Sequence, residues 1–272
     1  MVLLTVLDHL LRRRRGYLLL VLIAIAAQLV GQSLVNTGSQ PFAVAVNPAT
    51  NKIYVLNGQG SVTVIDGATN VTQDVNVGNA PVAIAVNPVT NKAYVACSGN
   101  GTVWVITEGG DGIFRGRRLP GISLNPQAII VNPVTNKIYV AASNGPISST
   151  FNPNGVVFAI DGTNDTVTTT IPGGKNPFAI ALNPVTNKIY VANNANGSNA
   201  TVSVIDGSID TVVESIGVGN SPNALAVNPV TNKVYVINAL GLSVIDGVSN
   251  TIRTTTPLGL KVDEMGPLEA AT

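Results

Sequence analysis

Across 272 residues only 11% are charged and 4% aromatic, and the apolar share is carried by Val, Ile and Ala, a balance that favours strands over amphipathic helices. The formal charge of +1 is set by the run Arg12 to Arg15; beyond residue 30, 11 Lys and Arg face 13 Asp and Glu, which disfavours nucleic acid as a partner. A single cysteine, Cys97, rules out an intrachain disulfide, and the one histidine, His9, stands in the first segment, leaving none beyond it for a histidine triad, a histidine zinc site or imidazole haem ligation.

Residues 1–31 have the layout of an export signal. Arg12 to Arg15 precede Gly16, Tyr17 and an uncharged apolar run from Leu18 that continues, broken only by Gln28, to Val30. An apolar helix of about 15 residues fits a secretory signal better than a span of about 20. Ala24-Ile25-Ala26 supplies a small-x-small cleavage site, and an uncleaved signal anchor is the alternative. Arg14-Arg15-Gly16-Tyr17-Leu18 resembles a twin-arginine export signal. Residues 32–40 form a linker or the remnant of an outer strand from a preceding repeat.

From residue 41 to about 260 one phrase returns five times, beginning at Pro41, Pro81, Pro126, Pro177 and Pro222. Each copy runs through an Ala/Val/Ile-rich stretch into Asn-Pro-(Val or Ala)-Thr-Asn-Lys, then a hydrophobic residue, Tyr and Val. The tyrosines are Tyr54, Tyr94, Tyr139, Tyr190 and Tyr235. Four copies continue to a Val/Ala-Ile-Asp-Gly phrase, with Asp66, Asp161, Asp206 and Asp246. Repeat two departs from it, because Val105-Ile106 is followed by Thr107-Glu108 and Asp111-Gly112 comes only after two extra glycines.

Each repeat reads as four antiparallel strands, in repeat one Phe42 to Val46, Ile53 to Asn57, Ser61 to Ile65 and Val71 to Val75. The Asn-Pro-x-Thr-Asn-Lys segment is a hairpin turn in which Pro fixes one corner and the later Asn takes a left-handed backbone. Ala43-Val44-Ala45-Val46 and Ala83-Ile84-Ala85-Val86 are apolar on both faces, so both faces of the first strand should be buried. That favours an all-β propeller of five four-stranded blades over a sandwich, with closure into a five-bladed ring the simplest outcome and an incomplete larger propeller the alternative. Residues 261–272 are a tail.

The recurring Asn-Pro-Val-Thr-Asn-Lys-x-Tyr-Val and Val-Ile-Asp-Gly motifs, over residues 41 to about 257, resemble those of the YVTN β-propeller family of exported bacterial and archaeal proteins. The resemblance implies export and about seven blades where this sequence shows five.

The repeated Asp of the Asp-Gly phrase reads as a turn builder, and Lys52, Lys92, Lys137, Lys188 and Lys233 read as solvated hairpin ends. Cys97 and Trp104 read as packed strand residues. Stretches that break the repeat carry the functional candidates. Asn144 to Asn154 and Asn193 to Asn199 lengthen the loop between the second and third strands of repeats three and four, offering Asn144, Ser149, Phe151, Asn154, Asn193, Asn196 and Asn199 to a ligand. Phe114, Arg115, Arg117 and Arg118 form a local basic cluster suited to an anionic group. Glu108, Asp111, Asp165 and Asp210 are the few non-repeated carboxylates on which a hydrolase or lyase would depend. With no phosphate loop or metal-ligand cluster, no cofactor and no metal is expected. The leading reading is a non-enzymatic binding or interaction scaffold for a protein, glycan or surface polymer, with membrane contact only through an uncleaved N-terminal segment. Surface-layer assembly by self-association is the third.

Overall fold

The computed structural model describes residues 34–122, 124–143, 154–194 and 200–257. The chain divides into Met1–Asn36 and Thr37–Thr272, and the architecture below is that of the second unit. No described residue is helical, and the hydrophobic helix expected at the N-terminus lies outside the described residues.

Five four-stranded sheets follow one another, each with its strands in chain order and antiparallel. Blade 1 is β1 (Pro41–Asn47), β2 (Lys52–Asn57), β3 (Ser61–Asp66) and β4 (Thr72–Asn76). Blade 2 is β5 (Pro81–Asn87), β6 (Lys92–Cys97), β7 (Thr102–Glu108) and β8 (Phe114–Arg118). Blade 3 is β9 (Asn125–Asn132), β10 (Lys137–Ser143), β11 (Asn154–Asp161) and β12 (Thr166–Lys175). Blade 4 is β13 (Pro177–Asn183), β14 (Lys188–Asn193), β15 (Thr201–Asp206) and β16 (Thr211–Gly217). Blade 5 is β17 (Ala224–Asn228), β18 (Lys233–Asn238), β19 (Gly241–Asp246) and β20 (Thr251–Pro257).

The hairpin after each inner strand forms as its residue types dictate. Asn51, Asn91, Asn136, Asn187 and Asn232 all sit in the left-handed region, φ 51 to 56°, where Asn is among the few non-glycine residues tolerated. The preceding Asn closes the turn from the other side: Asn47 Oδ1 accepts the Ala49 N–H at 3.0 Å, and Asn87 and Asn132 do the same for Val89 and Val134. Register then places each tyrosine between the inner and third strands, as Tyr54 lies between Ala45 and Val64 and Tyr190 between Ala181 and Val204.

The core consists of the interfaces between successive blades. Tyr54, Leu56, Val62 and Val64 pack on Ala93, Val95, Cys97 and Ile106. Blade 2 meets blade 3 through Tyr94, Val103 and Val105 against Ile129, Ile138 and Val140, and the pattern repeats at the next two junctions. Large apolar side chains fully removed from water at every junction supply most of the favourable free energy. Cys97 is buried as expected, and burial pushes its thiol up to about 12.

Among the described residues, the five-bladed ring expected from the sequence does not close. Inner strands neighbour one another in the order β1, β5, β9, β13, β17, with no comparable contact from β17 back to β1. Phe42, Val44 and Val46 are 53%, 64% and 55% exposed, whereas the corresponding Ile129 and Val131 of β9 are each 8% exposed. The expectation that both faces of the inner strand are buried therefore fails for β1: its apolar residues belong to the face that a preceding blade covers elsewhere, and five angular steps do not bring blade 5 to it. Residues 34–40, the described part of the stretch 32–40 read as a linker or remnant outer strand, form no strand, although the Gly38 N–H donates to Thr63 Oγ1 at 3.0 Å.

Candidate functional site

The repeated lysines and tyrosines build the junctions. In blade 2, Lys92 Nζ lies 3.0 Å from Asp165 Oδ1 and also donates to the Gly162 and Thr163 carbonyls of blade 3. The Tyr94 hydroxyl donates to the same carboxylate at 2.7 Å, and Arg117 Nη2 reaches its other oxygen at 2.8 Å. One junction on, Lys137 Nζ and the Tyr139 hydroxyl hold Asp210 at 2.7 and 2.8 Å. Between blades 4 and 5, Lys188 donates to Asn250 Oδ1 at 3.0 Å and to the Gly247 carbonyl at 2.7 Å. Lys92, Lys137 and Lys188 are thus clasps on the following blade, not the solvated hairpin ends read from sequence.

The acceptors stand four residues beyond the Asp of the Asp-Gly phrase, at left-handed positions: Asp165, Asp210 and Asn250 have φ 59, 52 and 55°. The Asp of the phrase itself builds the turn. Asp161 and Asp206 accept the Thr163 and Ser208 N–H groups, and Asp246 accepts those of Val248 and Ser249. Those N–H groups hold the Asp246 carboxyl down at about 2, with Arg253 helping.

Blade 2 lacks the phrase, so the junction between blades 1 and 2 is built differently. Lys52 turns back to Asp66 of its own blade at 2.7 Å, and its ammonium hydrogen bond holds that carboxyl well below the usual range. Phe114 takes the vacated place. Its ring stands edge-on to Tyr54 at 6.3 Å between centroids and lies 6.0 Å from Lys52 Nζ. Gln73 locks it there, its amide pairing with the Phe114 carbonyl at 2.8 Å and N–H at 3.1 Å as a strand backbone would. Beside this plug a cleft of 280 Å³ opens, lined by Lys52, Asp66, Thr69, Gln73, Glu108 and Phe114 among others.

The sequence candidates scatter. Phe114 is 8% exposed and structural, while Arg115, Arg117 and Arg118 all stay on the surface, Arg115 paired with Asp111 and Arg117 with Asp165. Asn193, read as a loop ligand, is a fully buried strand residue whose Nδ2 donates to Ser203 Oγ at 2.9 Å, as Asn57 does to Thr63. The backbone of Asn154 opens β11 opposite Lys175. Asn144, Ser149, Phe151, Asn196 and Asn199 lie outside the described residues. Asp165 and Asp210 are locked into different junctions and Asp111 into its pair with Arg115, so of the four non-repeated carboxylates only Glu108 borders the cleft. The clasp acceptor lies three residues beyond the end of the Asp-Gly phrase. The signal was the recurrence of Asp165, Asp210 and Asn250 at that offset.

Two solved structures share its blades. A hydrazine synthase of Kuenenia stuttgartiensis superposes with a TM-score of 0.66 over 84% of this chain and 69% of its own, at 18% identity. The β-propeller domain of Cps50 (Swd1) from Myceliophteria thermophila superposes with a TM-score of 0.59 over 79% of this chain and 67% of its own, at 10% identity. The fold is a β-propeller. No family model matches the sequence, and no curated protein is detectably similar to it.

Proposed function

We propose that the chain is an exported, non-enzymatic propeller scaffold that binds a polar, saccharide-sized group of a surface glycan or polymer in the cleft between blades 1 and 2. The observation that carries this reading is the replacement, at that one of the four junctions among the described residues, of the cross-blade clasp by an aromatic plug, with a 280 Å³ cleft beside it. Blade geometry does not require the change, since the other three junctions pack with the clasp or its Asn250 variant. The lining offers what a sugar ring takes: hydroxyl and amide partners in Thr69 and Gln73, carboxylates in Asp66 and Glu108, and an ammonium in Lys52. Export is supported by the arginine run and apolar stretch of residues 1–31 and by the likeness of the repeats to the YVTN family.

Saturation-transfer NMR of the full chain against a panel of cell-surface mono- and oligosaccharides tests the reading. Binding is expected to be weakened about tenfold by Glu108→Ala, an exposed residue that holds no junction together. A panel with no binder at millimolar concentration, or a binder indifferent to Glu108, overturns it.

A further inference from the structure

Near the inner strands the junction between blades 1 and 2 is built like the other three. The Asn ending one inner strand donates from Nδ2 to the left-handed Asn in the next blade's hairpin: Asn47 to Asn91 at 3.0 Å, Asn87 to Asn136 at 2.7 Å, Asn132 to Asn187 at 2.6 Å and Asn183 to Asn232 at 2.8 Å. The cleft is therefore a local change at the outer turns, and its polar lining is mostly committed to itself. Lys52 Nζ lies 2.7 Å from Asp66 Oδ2, and the other oxygen of that carboxylate accepts the Ala68 and Thr69 N–H groups and the Thr69 hydroxyl. The Gln73 amide is taken at both ends by the Phe114 backbone.

Glu108 is the exception: among the described residues its carboxylate has neither a hydrogen bond nor an ion pair. Aligned on Ile65 and Ile106, it stands where blade 1 has Gly67 and the later blades have Gly162, Gly207 and Gly247. A Cβ at any of those glycines would collide with the hairpin asparagine of its own blade, so only the loss of the Asp-Gly phrase admits a side chain here. Glu108 pairs in register with Phe114, which puts the two side chains on one face of the sheet, the face laid against blade 1. Arg115 pairs with Thr107 and stands on the opposite face, where it holds Asp111. Lys52 and Asp66 cancel, so the charge left in the cleft is that of Glu108. Its field reaches the floor: it adds to the Asp66 hydrogen bond in raising the Lys52 ammonium, and to burial in raising the Tyr54 phenol.

We propose that the saccharide group taken by this cleft carries a free amine, as a hexosamine does, and that its ammonium pairs with Glu108. The inference rests on the reading of the cleft as a glycan site and names the class of sugar. A ligand gains most by supplying what the lining leaves unpaired. An ammonium gives Glu108 a charge-assisted hydrogen bond, a neutral hydroxyl gives a weaker one, and an acidic sugar meets repulsion.

Titrations of the full chain and of Glu108→Gln with glucosamine, N-acetylglucosamine and glucose, followed by saturation-transfer NMR at low ionic strength and below neutral pH, where the free amine is protonated, test it. Glucosamine is expected to bind wild type about tenfold more tightly than either neutral sugar. In Glu108→Gln, which keeps the shape of the side chain and removes its charge, that preference is expected to vanish with an unchanged circular dichroism spectrum. Equal affinities for the three sugars in wild type, all weakened by Glu108→Ala, overturn the amine preference alone and leave the cleft a glycan site. A glucosamine preference that survives Glu108→Gln overturns it too, since the amine is then held elsewhere. Binding of no saccharide at millimolar concentration overturns both readings.

Discussion

The junction between blades 2 and 3 and the junction between blades 1 and 2 join the same kinds of sheet by opposite chemistry. The first buries a carboxylate, Asp165, under an ammonium, a phenol and a guanidinium; the second buries an aromatic ring and keeps its ion pair at the rim of a cleft. A clasped junction fills the space between outer turns with paired charge, and its geometry is fixed by hydrogen bonds. A plugged junction relies on packing, and where the turn no longer reaches across it leaves room. In a repeat protein, room of that kind arises where one copy is released from the consensus.

Alkaline pH strikes both kinds of junction and should have the largest effect. Tyr54 and Tyr190 are pushed up to about 12 by burial, and Tyr94 and Tyr139 are raised further because burial is reinforced by their hydrogen bonds to Asp165 and Asp210. The unfolded chain releases phenol protons near pH 10 while the folded chain retains them. Stability is therefore intact below about pH 10 and falls above it by roughly 1.4 kcal/mol per pH unit for each tyrosine. Urea midpoints measured from pH 8 to 12 check this, and a midpoint flat to pH 12 would contradict the burial.

Next in size, Asp165→Ala leaves Lys92 and the Tyr94 hydroxyl without their partner. The cost is about 3–5 kcal/mol, little of it from the largely exposed Arg117. Asp66→Asn at the plugged junction keeps the turn-building acceptor and should shift the urea midpoint far less. Equal losses at the two positions would erase the distinction between clasp and plug.

The finest discrimination comes from removing a hydroxyl. Tyr139→Phe deprives the buried Asp210 of a donor and should cost about 1.5 kcal/mol. Tyr190, whose junction carries Asn250 in place of an aspartate, has a buried hydroxyl with no partner among the described residues, so Tyr190→Phe should be neutral or stabilising. Parallel thermal melts decide it.

Most of the fold was legible because it is written five times. Strand limits, hairpin conformation and the role of the Asp-Gly phrase follow from local residue types, and the inner strands begin at Pro41, Pro81, Asn125, Pro177 and Ala224, within two residues of the repeat starts. What was not legible depends on contacts between repeats. Lysines at strand starts look solvated until the next blade's turn is known to lie over them, and Phe114 looks like part of a basic surface until Tyr54 is known to stand beneath it. Ring closure failed for a related reason, since the angle between blades is set by how their faces pack and is not written in any single repeat.

The asparagine that reaches forward and the one that receives from behind, Asn47 and Asn51 in blade 1, are four residues apart in a single hexapeptide, Asn-Pro-Ala-Thr-Asn-Lys. A repeat copied by unequal recombination consequently arrives with both halves of its coupling in correct order, able to join its neighbours without any compensating change.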